Sequence, residues 1–161
     1  MTTIRKAEPG DAPALVELGT EVGNEPGGWL ITANGWRSAG DERRYLRALR
    51  RYPHAAVYVA EDEGRIVGRL SIARDQHPAS YHVADLGLMV AATHRRRGIG
   101  RALLAAAHER AGKRLRIMNI DDRQAGIAAF LEKCGAQKMV RQIEMVIAPR
   151  AGAANSVRAG G

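Results

Sequence analysis

The stretch HRRRGIGRALL, residues 94–104, sets four arginines around two glycines just before an apolar, helix-forming run. Residues 84–90, ADLGLMV, lead into it and read as a strand with a glycine inside. A strand, a glycine turn and a helix in that order leave the first N–H groups of the helix without an internal partner. Glycine lets a ligand approach such N–H groups closely, and the helix dipole favours negative charge there. Gly98 and Gly100 stand at the turn, and Arg95, Arg96, Arg97 and Arg101 would add charge-assisted bonds to an anion. The plainer alternative is a basic helix start facing water, with the glycines serving only the turn. The segment is neither a Gly-Lys-Ser/Thr phosphate loop nor a GxGxxG dinucleotide fingerprint.

Outward from this stretch the chain alternates helix and strand signals. Residues 3–8, TIRKAE, read as a first strand, and Asp11 as the cap of a helix with Pro13 in its first turn and Ala14, Leu15 and Leu18 on its buried side. Periodicity weakens over residues 19–40, where Trp29, Leu30, Ile31 and Trp36 stay apolar among glycines. Asp41 is expected to cap a basic helix, ERRYLRALRRY, with Tyr45, Leu46, Leu49 and Tyr52 at helical spacing. AAVYVAE (55–61) and RIVGRLSIA (65–73) read as a hairpin about Asp62-Glu63-Gly64. YHVADLGLMV (81–90) is the next strand, and Gly87 within it predicts a bulge or a close backbone approach. A helix over 99–111, a strand over 115–120, a helix over 123–134 ended by Gly135, and a last strand or strand pair over 137–147 follow. The order predicts one mixed α/β domain over residues 1–148 and a flexible tail over 149–161.

Composition bounds the function. The 161 residues suffice for one domain, and 45% hydrophobic with 26% charged residues is ordinary globular composition. No apolar run approaches the ~20 residues of a membrane span, and the N-terminus has no apolar signal region. The single cysteine, Cys134, excludes an internal disulfide and a thiolate metal cluster, so no metal site and a reducing, cytoplasmic location are expected. A net charge of +8 favours anionic partners and keeps a nucleic-acid reading open. Against that reading stand 4% aromatic residues and no helix-turn-helix, zinc-finger or RNA-binding pattern. The apolar last strand and open strand edges leave room for a homodimer.

The spacing Arg95-x-x-Gly98-x-Gly100 directly after ADLGLMV resembles motif A of the GNAT superfamily, the Gcn5-related N-acetyltransferases. FLEKCGA (130–136) is similar to that family's motif B, and the resemblance runs from residue 3 to the start of the tail. It implies a central, mostly antiparallel sheet of about seven strands, with strands 4 and 5 splayed apart and about four flanking helices. It further implies an acetyl-CoA-dependent N-acetyltransferase that moves an acetyl group directly to a primary amine of a small molecule or peptide. Acetyl-CoA would pair its pantetheine with the backbone of Leu88, Met89 and Val90 as an added strand. Its pyrophosphate would take N–H groups over Arg95, Arg96, Arg97, Gly98, Ile99, Gly100 and Arg101, and Gln124, or Asp122, would meet the pantetheine amide.

Amide formation requires the neutral amine and a donor for the thioester oxygen. Asp85 stands where many members carry a glutamate base, and His82 is a second candidate. The N–H of Met89 or Val90 would polarise the thioester. Asp85 as a structural ion pair is the competing view. The family's motif B tyrosine, a general acid, falls at Leu131, which has no proton to give; Tyr81 and Tyr45 are the phenols left. That departure supports a second possibility, a CoA-binding module without turnover. Cys134 reads as a small buried hydrophobe. For the acceptor, Glu25, Trp29 and Trp36 would line a site for a cationic amine, with core packing as the alternative for the tryptophans. The basic helix after them would give that site a basic rim, which hints at an acceptor carrying a carboxylate or phosphate as well.

Overall fold

The computed structural model describes residues 1–26, 36–74, 77, 84–111 and 125–137. Four strands form one antiparallel sheet in the order β1-β2-β3-β4: β1 (Thr3–Lys6), β2 (Ala55–Asp62), β3 (Arg65–Arg74) and β4 (Ala84–Val90). Four helices accompany it: α1 (Ala12–Gly23), α2 (Ala39–Leu49), α3 (Ile99–Ala111) and α4 (Ala125–Lys133). The mixed α+β, antiparallel expectation therefore holds. The expected strands over 115–120 and 137–147, the splay of strands 4 and 5, and the tail lie outside the described residues.

The β2–β3 hairpin turns where the sequence predicts. Glu63 (φ 50°) and Gly64 (φ 79°) both take positive φ, the two-residue turn that matches strand twist. Beyond it the ladder carries a bulge between Ala60 and Glu61. No bulge occurs at Gly87, which pairs in continuous register with Ser71. The glycine there answers a close approach instead, since a Cβ would lie 2.9 Å from Ser71 Oγ.

Alternation of side chains assigns the two faces of the sheet. Gly68 looks at Ile99 and Leu103 of α3, so Leu70, Leu88 and Val90 share that face. Val67, Arg69, Ser71, Asp85, Gly87 and Met89 point the other way, toward α1 and α2. Leu15, Leu18 and Val22 recur at helical spacing on α1 and are buried against this second face. With helices on both faces, β2 and β3 are buried almost throughout.

Two expected helix caps change. Asp11 precedes α1 but its side chain does not cap that helix. Its carboxylate accepts from both Arg5 Nη atoms, at 2.7 and 2.9 Å, and from Glu8 N–H. The Arg5 guanidinium holds the Asp11 carboxyl below the usual carboxylate range. α2 starts three residues earlier than expected, because Ser38, not Asp41, caps it and accepts from Asp41 N–H at 3.1 Å. The helix also ends at Leu49, which leaves Tyr52 half exposed rather than on the buried stripe. Gly135 (φ 87°) ends α4 as predicted, with Ala136 N–H donating to Leu131 O at 3.0 Å.

Candidate active site

The edge of β4 and the turn after it form the site. Ala91 N–H donates to Val67 O, which marks Val67 and Ala91 as a hydrogen-bonded pair. Such pairs alternate along an antiparallel ladder, so Arg69–Met89, Ser71–Gly87 and Ala73–Asp85 are of the same kind. The N–H and C=O of Met89 are therefore engaged with β3. Those of Leu88 and Val90 point outward, along the edge of the described sheet. Of the three residues expected to pair with pantetheine, only Leu88 and Val90 offer outward backbone groups, and the Met89 N–H is already engaged with β3.

After Val90 a 3-10 turn, Ala92–His94, leads to a kinked loop in which Arg96 (φ 64°) and Gly98 (φ 84°) both take left-handed backbone. A Cβ at Gly98 would meet nothing within 4 Å, so its conformation, not crowding, asks for glycine. Gly100 is different: a Cβ there would come 3.2 Å from Phe130, and the glycine lets α4 pack on α3. Among the described residues the N–H groups from Arg96 to Arg101 donate to no backbone carbonyl, and the ladder of α3 begins with Ala102 N–H to Gly98 O. This run of unclaimed donors at the start of a thirteen-residue helix is what an anionic pyrophosphate fits.

The four arginines divide. Arg95 holds Glu25 through two 2.7 Å bonds and donates from Nε to Val90 O at 2.9 Å. Arg97 reaches Asp62 at 3.3 Å. Asp62 also accepts from Thr2 Oγ1 at 3.0 Å and has His94 Nε2 at 3.8 Å. The Thr2 hydrogen bond, the N-terminal ammonium and Arg97 together hold the Asp62 carboxyl below its ordinary range. Arg96 and Arg101 are exposed and have no ion-pair partner among the described residues. Thus Glu25 and Arg95, expected to serve acceptor and pyrophosphate respectively, engage each other.

Asp85 is exposed and faces α1 and α2, and its carboxylate has no ion pair or hydrogen bond among the described residues. Leu131, at the place of the expected general acid, is 8% exposed and belongs to the core. Tyr45 lies on α2 beneath the Arg37 guanidinium, 4.6 Å from ring centre. His82, Tyr81, Trp29, Asp122 and Gln124 lie outside the described residues.

Trp36 is half-buried on the α1 side. A Cβ on Gly19 would fall 2.4 Å from its indole, so the helix accepts the ring only because that position is glycine. Over the other side stands Arg69, 5.2 Å from the ring centre. Glu42 is wholly buried beside Arg69. Sequence reading passed over both charges, although Glu42 sits three and four residues before Tyr45 and Leu46, on the same helical stripe.

Residues 28–136 match the model of the Acetyltransferase (GNAT) family. The chain belongs to that family. Its members use acetyl-CoA. An acetyltransferase of the family from Streptococcus pneumoniae is similar in fold, with a TM-score of 0.74, 24% identity, and 84% of this chain against 83% of that one covered. A ribosomal-protein-alanine N-acetyltransferase from Brucella melitensis is 28% identical with a TM-score of 0.64, covering 81% of this chain and 82% of its own. A structure from Salmonella typhimurium with its cofactor acetyl-CoA is 22% identical with a TM-score of 0.66, over 83% and 78% of the two chains. No curated protein matches the chain in sequence. Among the described residues no helix is long and apolar enough to cross a membrane, and no group of metal-ligating side chains occurs.

Proposed function

We propose that the protein is an acetyl-CoA-dependent N-acetyltransferase that transfers the acetyl group directly to a primary amine. The observation that carries this reading is the continuity of one donor path that is unclaimed among the described residues. It runs from the outward N–H groups of Leu88 and Val90 to the free N–H groups over residues 96–101. Acetyl-CoA supplies the acetyl group as a thioester. The edge of β4 would hold its pantetheine, and the loop donors with Arg96 and Arg101 would hold its pyrophosphate. The outward N–H of Leu88 or Val90 would hold the carbonyl oxygen, where a fixed donor stabilises developing negative charge.

Asp85 is the base this arrangement leaves, since no arginine among the described residues pairs with it. It stands four residues from Met89, roughly 13 Å along the strand, so the proton of the amine would reach it through water. No proton donor occupies the Leu131 position, and the leaving thiolate would take its proton from water or leave as the anion. The buried leucine favours one second reading, a domain that binds CoA without turnover. The tail, the cytoplasmic location and a homodimer remain parts of the proposal that rest on sequence.

Thermal unfolding with acetyl-CoA, free CoA and ATP tests binding, because a ligand of the folded state raises the midpoint. Both CoA forms are expected to raise it and ATP to do so weakly; no rise with either CoA form overturns the proposal. Release of free thiol with a broad amine panel then separates the enzyme from the silent binder. Asp85→Asn is expected to lower that release by about a hundredfold, while leaving the acetyl-CoA shift in place.

A further inference from the structure

The loop after β4 carries a conformational cost. Arg96 has φ 64° without being glycine, and a residue with a side chain keeps that left-handed backbone only where its surroundings fix it. Gly98 (φ 84°) takes the same region freely. The run of unclaimed N–H groups begins at Arg96, so the bend there sets where the first of them point. The Arg96 side chain does not hold the bend, since it is exposed and has no ion-pair partner among the described residues. Arg97 stands between the two left-handed residues, and an anchor on its side chain fixes both bends at once.

That anchor is Asp62, the last residue of β2, whose side chain is only 10% exposed. Its two oxygens divide their work. Oδ1 faces β1: it accepts from Thr2 Oγ1 at 3.0 Å and lies 3.5 Å from the N-terminal ammonium. Oδ2 faces the loop: it accepts from Arg97 Nη2 at 3.3 Å and lies 3.8 Å from His94 Nε2. His94 and Arg97 thus bracket Arg96 in sequence, while Arg95 goes instead to Glu25 and Val90 O. An isolated, half-exposed ion pair contributes little. Here one buried carboxylate, itself fixed from β1, gathers two side chains of the same loop.

We propose, on the basis of the acetyl-transfer reading, that Asp62 is a positioning residue for acetyl-CoA: through Arg97 and His94 it holds the loop in the shape that turns its N–H groups toward the pyrophosphate. Its charge has the same sign as that of the ligand it serves, so it can help only through the side chains between them. Simple electrostatics predicts the opposite outcome. Without Asp62 a like charge is gone and Arg97 is free to meet a phosphate, which would tighten binding. The sign of the change therefore separates shape from charge.

The test uses the full chain. Asp62→Asn keeps the size of the side chain and an acceptor for Thr2. It is expected to raise Kd for free CoA, and KM for acetyl-CoA, about fivefold with little change in kcat. An unchanged or tighter Kd overturns the inference. Arg96→Gly and Arg96→Ala both lack the guanidinium and differ in how readily the backbone takes φ 64°. With Asp62 present the two are expected to bind CoA within about twofold of each other; with Asp62→Asn, the glycine variant is expected to bind about fivefold tighter. The same ratio in both backgrounds overturns the inference. Without ligand, trypsin is expected to cut after Arg95 and Arg96 about fivefold faster in Asp62→Asn, with cleavage after Arg44 and Arg47 of α2 unchanged. Should Asp62→Asn speed cleavage everywhere, which marks global loosening, Arg97→Gln decides, because it leaves β2 intact. Faster cleavage confined to the loop then supports the inference, and any other pattern overturns it. If the unaltered protein does not bind CoA, the acetyl-transfer reading has failed and this inference falls with it.

Discussion

Arginine appears in two settings in this molecule. In the loop of residues 95–101 the arginines are exposed, Arg95 and Arg97 each meet one carboxylate, and Arg96 and Arg101 have no ion-pair partner among the described residues. On β3, Arg69 is buried between an indole, a carboxylate and a serine. The first setting makes charge available at little structural cost, because water screens whatever is not paired. In the second, charge is fixed in place and the fold depends on its neighbours. The loop therefore keeps its charge accessible, whereas the buried group uses its charge in packing α2 and the indole against the sheet.

Breaking the buried side of this comparison should have the largest effect. Glu42→Ala removes the only carboxylate between Arg37 and Arg69 among the described residues and is expected to lower stability by about 3–5 kcal/mol, measured by urea unfolding. A loss under about 1 kcal/mol would show that Arg69 finds solvent and is not held as described. Gly19→Ala probes the wall behind the indole. Alanine should gain about 1 kcal/mol of helix propensity but must displace Trp36, so a net loss of about 1 kcal/mol, or a few degrees in Tm, is expected. Net stabilisation would mean the ring yields freely. On the exposed side, Arg96→Ala with Arg101→Ala should leave stability within about 0.5 kcal/mol. The same pair should cut the midpoint shift given by acetyl-CoA, and the more so at low salt. An unchanged shift would sharpen the comparison by assigning the pyrophosphate to backbone N–H groups alone.

How far the sequence went follows the same division. The hairpin at Glu63-Gly64, the start of α3 and the end of α4 at Gly135 were legible because each depends on glycine or turn chemistry within a few residues. The glycine turn before α3 was legible because its spacing is local. The start of α2 was misplaced by three residues, since Ser38 and Asp41 are both good caps and only the helix direction decides between them. Arg69 was not legible at all. In RIVGRLSIA an arginine at an alternating position looks like the wet face of a strand, and only helices on both faces bury it. The roles expected of Arg95 and Glu25 failed for a related reason: a contact between residues seventy apart has no local signature.

That contact has an energetic consequence of its own. Arg95 ties the end of α1 to the turn after β4 with ideal two-fold geometry, yet it does so where water reaches both partners. Partly exposed ion pairs are worth on the order of 1 kcal/mol, which corresponds to an open form present in about one molecule in six. A clasp of that strength holds the residues after α1 against the turn after β4 at rest. It parts within thermal reach, without loosening the hydrophobic layers beneath.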